Sequence, residues 1–344
     1  MRFILSLLFP FFCLTVYAQT KIEAGKSAGI MFYNTENLFD TRNDSLKNDD
    51  EFTPEGARHW TYNRLRHKWV GLSRVISNAN GWEAPVIIGL CEVENRWVVN
   101  SMLYETGLKN MAYDVVHYES PDNRGIDVAM LYQTTRVRIL YSQPIPVKID
   151  GDRPTRDILF VKALLDHSDT LFVLVNHWPS RWGGAVATHP KRRLAAKTLR
   201  HITDSLFCLN KLSKVIIMGD FNEPPHSDIF KVDLNVGALS DDNWLVSPAL
   251  DLPPGVGTLK YQHEWSLFDQ IIVSRSLLAD TLGFGMQPKQ LRIISLPFLL
   301  MQDENYGGEK PFRTYVGFKY QGGYSDHLPV WIDLVNHRLP YSEP

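Results

Sequence analysis

This sequence predicts a mixed α/β architecture, in which mixed β-sheets are covered by helices. Three features of its 344 residues carry that prediction. Short apolar runs recur along the chain, as buried strands require. Two other segments repeat apolar residues at helical spacing. One pair of runs is close enough to form a hairpin, whereas other neighbours are separated by longer stretches. Strands and helices therefore do not alternate strictly, and a purely parallel sheet is not expected.

The elements follow in chain order. Met1 and Arg2 precede a nearly continuous apolar run from Phe3 to Val16, and Val16-Tyr17-Ala18 has the character of a cleavage site before Gln19. One basic residue, an apolar stretch too short to span a bilayer and a cleavage site make a secretory signal over residues 1–18. Pro10 suits no ordinary strand, and Phe11-Phe12 before Cys13 are too bulky for a lipoprotein anchor. The mature protein is expected to be secreted or periplasmic after cleavage near Ala18. Ile30 to Tyr33, Val86 to Leu90, Ile126 to Tyr132, Leu171 to Val175, Val215 to Met218 and Ile271 to Val273 are expected strands. Leu65, Trp69, Leu72 and Ile76 define one helix face, and Ala195, Leu199, Ile202 and Leu206 a second, with Pro190 at its start. Leu159 to Leu165 and Leu171 to Val175, joined through His167-Ser168-Asp169, form the expected hairpin. Irregular polar stretches at Thr41 to Arg58, Val236 to Gly257 and Gln302 to Gly323 are long loops of the kind that carry function. No linker or repeat separates them, so one domain is expected.

Composition bounds the partners. A hydrophobic content of 44% supports a sizeable core, and a net charge of -2 gives no basic excess for wrapping nucleic acid nonspecifically. A local site is expected instead. Beyond the signal, no apolar run could cross a bilayer, so a monomer without stable membrane association is expected. Of 3 cysteines, Cys13 leaves with the signal. Cys91 and Cys208 make no disulfide framework and are expected to be small buried hydrophobes.

The informative feature is what stands at the strand ends. Ile30 to Tyr33 runs into Asn34-Thr35-Glu36-Asn37, Val86 to Leu90 into Cys91-Glu92-Val93-Glu94, and Leu171 to Val175 into Asn176-His177. Val215 to Met218 runs into Gly219-Asp220-Phe221-Asn222, and Ser325-Asp326-His327 precedes the apolar Leu328 to Ile332. Charged groups beside buried strands are costly unless paired or metal-bound. One such end is an ordinary turn; together they predict a shared site at the sheet rim. Its donors are hard oxygens with imidazole, a set that suits magnesium, with manganese or calcium as alternatives. Asp127 interrupts an apolar strand and is expected to pair with an arginine.

At these residues the sequence resembles the endonuclease/exonuclease/phosphatase superfamily, from Phe32 to about Asp333. Tyr33-Asn34-Thr35-Glu36-Asn37-Leu38-Phe39-Asp40, Arg124-Gly125-Ile126-Asp127 and Asn176-His177-Trp178-Pro179-Ser180-Arg181 resemble its secreted bacterial branch, which includes extracellular nucleases. The resemblance implies an α+β fold, a four-layer α/β/β/α sandwich of two packed mixed sheets flanked by helices, over residues 28–335. It also implies roles. Glu92, Glu36, Asn34 and Asp326 would hold the metal. Asp220 and Asn222 would orient the attacking water and the phosphate, Asp269 would orient His327, and Asn176 or His177 would fill the middle motif, His177 as a general acid. Two positions depart from the family pattern: Cys91 precedes the glutamate where glutamine is usual, and Gln270 follows the aspartate where tyrosine is usual, which predicts an altered site wall.

The chemistry needs such groups because a phosphodiester is an anion that repels hydroxide. A cation would neutralise it, asparagine amides would donate to the phosphate oxygens, and Asp220 or His327 would deprotonate water. Arg124 and Arg181 are candidate phosphate clamps. A nuclease for DNA or RNA is the first expectation, with Trp178 and Trp182 placed to flank a base. A phosphatase or phosphodiesterase for lipid headgroups or small organic phosphates is the second, and an inactive phosphate-binding module the third.

Overall fold

The computed structural model describes residues 26–81, 83–149, 154–278, 283–286 and 291–337, so the signal expected over residues 1–18 lies outside the described residues. One seven-stranded sheet contains β1 (Ser27–Leu38), β2 (Ile87–Val93), β3 (Tyr113–His117), β4 (Asp127–Gln133), β14 (Phe284–Met286), β15 (Arg292–Ile293) and β20 (Val330–Asn336). The other seven-stranded sheet contains β5 (Val137–Ile145), β6 (Ile158–Leu165), β7 (Asp169–His177), β8 (Lys214–Asp220), β9 (Val236–Gly237), β10 (Leu245–Val246) and β13 (Asp269–Ser274). Each sheet has a parallel pair near its centre, β1 with β2 and β7 with β8, flanked by antiparallel partners, and β9 and β10 at the edge of the second sheet are parallel too. Small hairpins pair β11 (Leu259–Tyr261) with β12 (Glu264–Ser266), β16 (Leu300–Gln302) with β17 (Glu309–Pro311), and β18 (Tyr315–Val316) with β19 (Lys319–Tyr320).

Alternation along the strands sorts side chains into layers. Phe32, Ile87, Cys91 and Met130 meet Val173, Val175, Ile216, Met218 and Ile271 between the sheets. On the outer face of the first sheet, Met31, Tyr33, Ile88 and Leu90 pack on α1 (Tyr62–Asn78) and α2 (Arg96–Glu105) through Leu65, Trp69, Leu72 and Val98. On the outer face of the second, Leu174, Ile217 and Ile272 pack on α3 (Ala185–Leu209) through Ala195, Leu199 and Phe207. Helices, sheet, sheet and helix make the four layers the sequence implied.

Two local expectations are corrected. Pro190 lies inside α3 rather than at its start, because the helix begins upstream at Ala185 after Gly184. Cys208 is exposed while Cys91 is buried. The buried stripe of α3 runs through Leu199, Thr203 and Phe207, and Cys208 lies one residue, about 100°, past it.

Candidate active site

The polar strand ends converge in the cleft between the sheets. Parity decides which of them enter it. Asn34, His177, Asp220 and Asp269 continue the alternation that points Phe32, Val175, Met218 and Ile271 between the sheets. Glu92 follows Cys91 and by simple alternation would face the helices. Instead the β1–β2 and β2–β4 ladders shift register at Asn34/Leu38 and at Cys91/Val93. Glu36 (φ 51°) and Glu92 (φ 59°) both adopt left-handed backbone there. Bulges re-aim side chains in this way, at about 1–2 kcal/mol for each left-handed non-glycine residue.

Asp220 is the hub. Its Oδ1 accepts from the Asn222 amide (3.0 Å) and its Oδ2 from Asn34 Nδ2 (3.1 Å). That Oδ2 lies 3.9 Å from His327 Nε2 and 3.8 Å from His177 Nε2. His327 Nδ1 sits 2.6 Å from Asp269 Oδ2, which also accepts from Thr258 Oγ1 at 2.5 Å. Ser325 fixes the approach: its Oγ donates to the Asn34 carbonyl and accepts from the His327 amide. Burial drives the Asp220 pKa up to about 7, opposed by His327 and assisted by Asp269. Burial alone would lower the His327 pKa, but the Asp269 carboxylate, with Asp220 and Asp326, raises it well above the ordinary value. The two groups therefore divide the work: a carboxylate ready to take a proton near neutrality faces an imidazolium ready to donate a hydrogen bond.

A second set of carboxylates flanks this hub. Glu92 Oε2 accepts from the Asn37 amide (2.9 Å), and its Oε1, 3.9 Å from His177 Nε2, accepts no hydrogen bond among the described residues. Glu36 is held by Arg313 Nε (3.2 Å) and the Thr314 amide (2.6 Å), and Arg313 Nη2 also donates to Asp326 Oδ2 (2.8 Å). Behind them Lys68 is buried and donates to Thr314 Oγ1 and the Tyr324 carbonyl. Burial lowers the Lys68 pKa to about 8 against the pull of Glu36 and Asp326. Sequence reasoning missed Arg313, Lys68 and Thr258. Lys68 left a signal, a charged residue next to Trp69 on the apolar face of α1. Arg313 lies in the third irregular stretch.

Several expected roles change. Asn176 is fully buried and faces α3, because it lies one residue out of phase with His177. Its amide donates to the Leu174 and Met218 carbonyls, so it frames the site without entering it. His177 does enter, but burial, then Arg156, Arg124 and His327, lower its pKa well below the ordinary value. That direction favours the neutral imidazole. Arg156 pins it by donating to the His177 and Trp178 carbonyls. Trp178 is buried against Phe221 and Phe230 and cannot flank a base, whereas Trp182 is exposed. Gln270 shares the outward phase of Asn176: it holds the Glu223 carbonyl (2.9 Å) and does not form the site wall. Arg181 donates through Nε to the Asn222 carbonyl and through Nη2 to Glu223, while Arg124 is exposed and donates to Asn37 Oδ1 (2.6 Å). Asp127 pairs with His117 and Ser120 rather than with an arginine.

β8 ends in a turn at Gly219-Asp220-Phe221-Asn222. The turn is made by Asn222 (φ 52°), and Gly219 is instead needed for close approach. A Cβ there would stand 2.5 Å from the Asn176 carbonyl oxygen, opposite it in the β7–β8 ladder. Gly219→Ala is expected to destabilise the protein by about 1–3 kcal/mol in urea unfolding, the usual cost of overpacking.

The fold and this set of residues together define a class. The model of the Endonuclease/Exonuclease/phosphatase family matches residues 29–336, and the chain belongs to this family, whose members are phosphoesterases that use divalent metals. An endonuclease/exonuclease/phosphatase family protein from Bacteroides thetaiotaomicron is similar in structure, at TM-score 0.57 and 13% identity over 92% of this chain and 100% of that one. A mannosyl-6-phosphatase from the same organism aligns at TM-score 0.55 and 14% identity over 90% and 99% of the two chains. TDP2 from D. rerio, complexed with single strand DNA product, aligns at TM-score 0.54 and 14% identity over 90% and 98%. Identities this low establish the fold alone. No curated protein matches the chain.

Proposed function

We propose that this chain is an exported nuclease of the secreted bacterial branch, a hydrolase that cleaves DNA or RNA phosphodiesters with the help of magnesium. The observation that carries the hydrolytic reading is the buried Asp269–His327 pair facing the raised-pKa carboxylate of Asp220. The motifs at Tyr33 to Asp40, Arg124 to Asp127 and Asn176 to Arg181 support the branch, and the apolar N-terminus supports export.

The donor set fits a hard divalent ion. It offers carboxylate oxygens and no thiolate, and Glu92 Oε1 accepts no hydrogen bond among the described residues. Glu92 would hold the ion, with Glu36 and Asp326 beside it. When bound, the ion neutralises phosphate charge and stabilises the leaving oxygen. The remaining steps belong to the protein. Asp220 takes the proton of the attacking water, and Asn222 and Asn34 hold Asp220 in place. The imidazolium of His327 donates to a phosphoryl oxygen as charge develops there. Asp269 keeps its Nδ1 protonated so that Nε2 faces the cleft. Neutral His177 hydrogen-bonds at the same phosphate without delivering a proton.

A phosphatase acting on small organic phosphates is the second reading, favoured by the small cavity with two arginines beside Glu36. The test is hydrolysis of plasmid DNA, RNA, sphingomyelin and bis-p-nitrophenyl phosphate by protein lacking residues 1–18. Magnesium, manganese, calcium and EDTA are compared, with His327→Ala as control. Cleavage of nucleic acid that EDTA and His327→Ala abolish is expected. Turnover confined to small phosphates transfers the assignment to the second reading, and metal-independent turnover removes the mechanism.

A further inference from the structure

Two of the irregular stretches, Thr41 to Arg58 and Gln302 to Gly323, meet beside the catalytic cleft and enclose a cavity of about 180 Å³. Glu36 forms one wall. The other walls are Asn37, Phe52, Arg58, Arg313 and Tyr315. Its lining carries two guanidinium groups, Arg58 and Arg313, and one carboxylate, Glu36. Arg58 is stacked among Phe52 (4.8 Å), Tyr315 (5.0 Å) and Phe318 (5.4 Å), which fixes its guanidinium plane. Its Nε pairs with Glu51 (3.2 Å) and its Nη1 donates to the Gly317 carbonyl (3.0 Å), while Nη2 has no acceptor among the described residues. Arg313 spends Nε on Glu36 and Nη2 on Asp326, and its Nη1 likewise has no acceptor there. Arg124 leans on the rim through Asn37. Unspent guanidinium donors of fixed orientation are the usual means of gripping phosphate.

We propose that this cavity recognises a second phosphate group of the substrate, next to the scissile one, and that Arg58 and Arg313 are the residues that determine this specificity. The proposal rests on the phosphoesterase reading above and deepens it. The cavity is small and offers two guanidinium nitrogens that have no acceptor among the described residues. A terminal phosphate fits this arrangement better than an uncharged sugar or a base, for which guanidinium donors would be left unmatched.

The test compares matched substrates: thymidine dinucleotides carrying a 5′-phosphate, a 3′-phosphate or neither, and fructose 1,6-bisphosphate against fructose 6-phosphate. In the wild-type protein, one doubly charged substrate is expected to exceed its partner by about tenfold or more in kcat/KM, as one or two charge-assisted hydrogen bonds allow. In Arg58→Gln and in Arg313→Gln this ratio is expected to fall towards one, and in Arg58→Lys only partly. A purely structural role would lower both members of a pair together and keep the ratio, which overturns the proposal. Equal rates on every pair in the wild-type protein overturn it too. Bis-p-nitrophenyl phosphate, run alongside with His327→Ala, separates the two failures. If that ester is not turned over, the phosphoesterase reading fails. Calorimetry with inorganic pyrophosphate and inorganic phosphate then decides the cavity: tighter pyrophosphate binding lost in Arg58→Gln supports it, and equal binding overturns it.

Discussion

Asp269→Asn is expected to lower turnover by about 10³–10⁴-fold while leaving the fold in place, the scale seen when the carboxylate that orients a catalytic histidine is neutralised. Asp269 is fully buried, and its Oδ2 serves His327 Nδ1 and Thr258 Oγ1 at once. An asparagine fits the same space, so packing is kept. It cannot supply the negative charge that opposes the burial of an imidazolium, and His327 then becomes neutral with its tautomer unspecified. Activity and ¹⁵N chemical shifts of the His327 ring check the two halves of this expectation separately. Retained turnover with an unchanged ring spectrum would show that Thr258 and the backbone, rather than the carboxylate, set the histidine.

Arg192→Met is expected to carry the largest stability cost, about 3–5 kcal/mol, because it strands a buried carboxylate. Arg192 is fully buried within α3. Its Nε donates to Glu223 Oε1 (2.6 Å), and its other nitrogens donate to the Pro179 and Ala185 carbonyls and Thr188 Oγ1. It thus ties α3 to the loop after β7 and to the residue after Asn222. Arg181 also reaches Glu223, at 3.1 Å, which places the cost toward the lower end of the range. Denaturant unfolding of Arg192→Met, Glu223→Leu and the double variant measures it. The double variant is expected to lose less than the sum of the two, since removing both buried charges leaves only the partly exposed Arg181 without its partner. A strictly additive pair would refute the coupling.

The strands containing Ile30, Ile87, Val128, Leu171, Val215 and Ile271 were legible because buried central strands are continuously apolar. β5 was not, because an edge strand with exposed Leu140 and Tyr141 has no clean pattern to detect. The helix containing Val98 and Met102 was also missed, being too short to repeat its period. Within the site, Asp220, His327, Glu36 and Glu92 were legible because a carboxylate or imidazole at the end of an apolar run is costly unless it is used, and Asp269 was legible only through the resemblance to the family. Asn176 was read as an equal of His177, though adjacent strand residues face opposite sides of a sheet. Motif adjacency hides that alternation unless the phase is followed along the strand.

The sequence alone determined the layered α+β architecture, the rim of polar strand ends and the hard-oxygen character of the site. These properties are local: they depend on which residues terminate which apolar run. The tertiary structure alone decided the phase of each polar residue, the left-handed backbone at Glu36 and Glu92 where the ladders shift register, and the arrival of Arg313 and Lys68 beside them. It also brought Arg58 and Arg313 to one cavity, although they are far apart in the chain. Such pairings arise from sheet register and loop packing, and no local pattern specifies which distant charges will share a low-dielectric space.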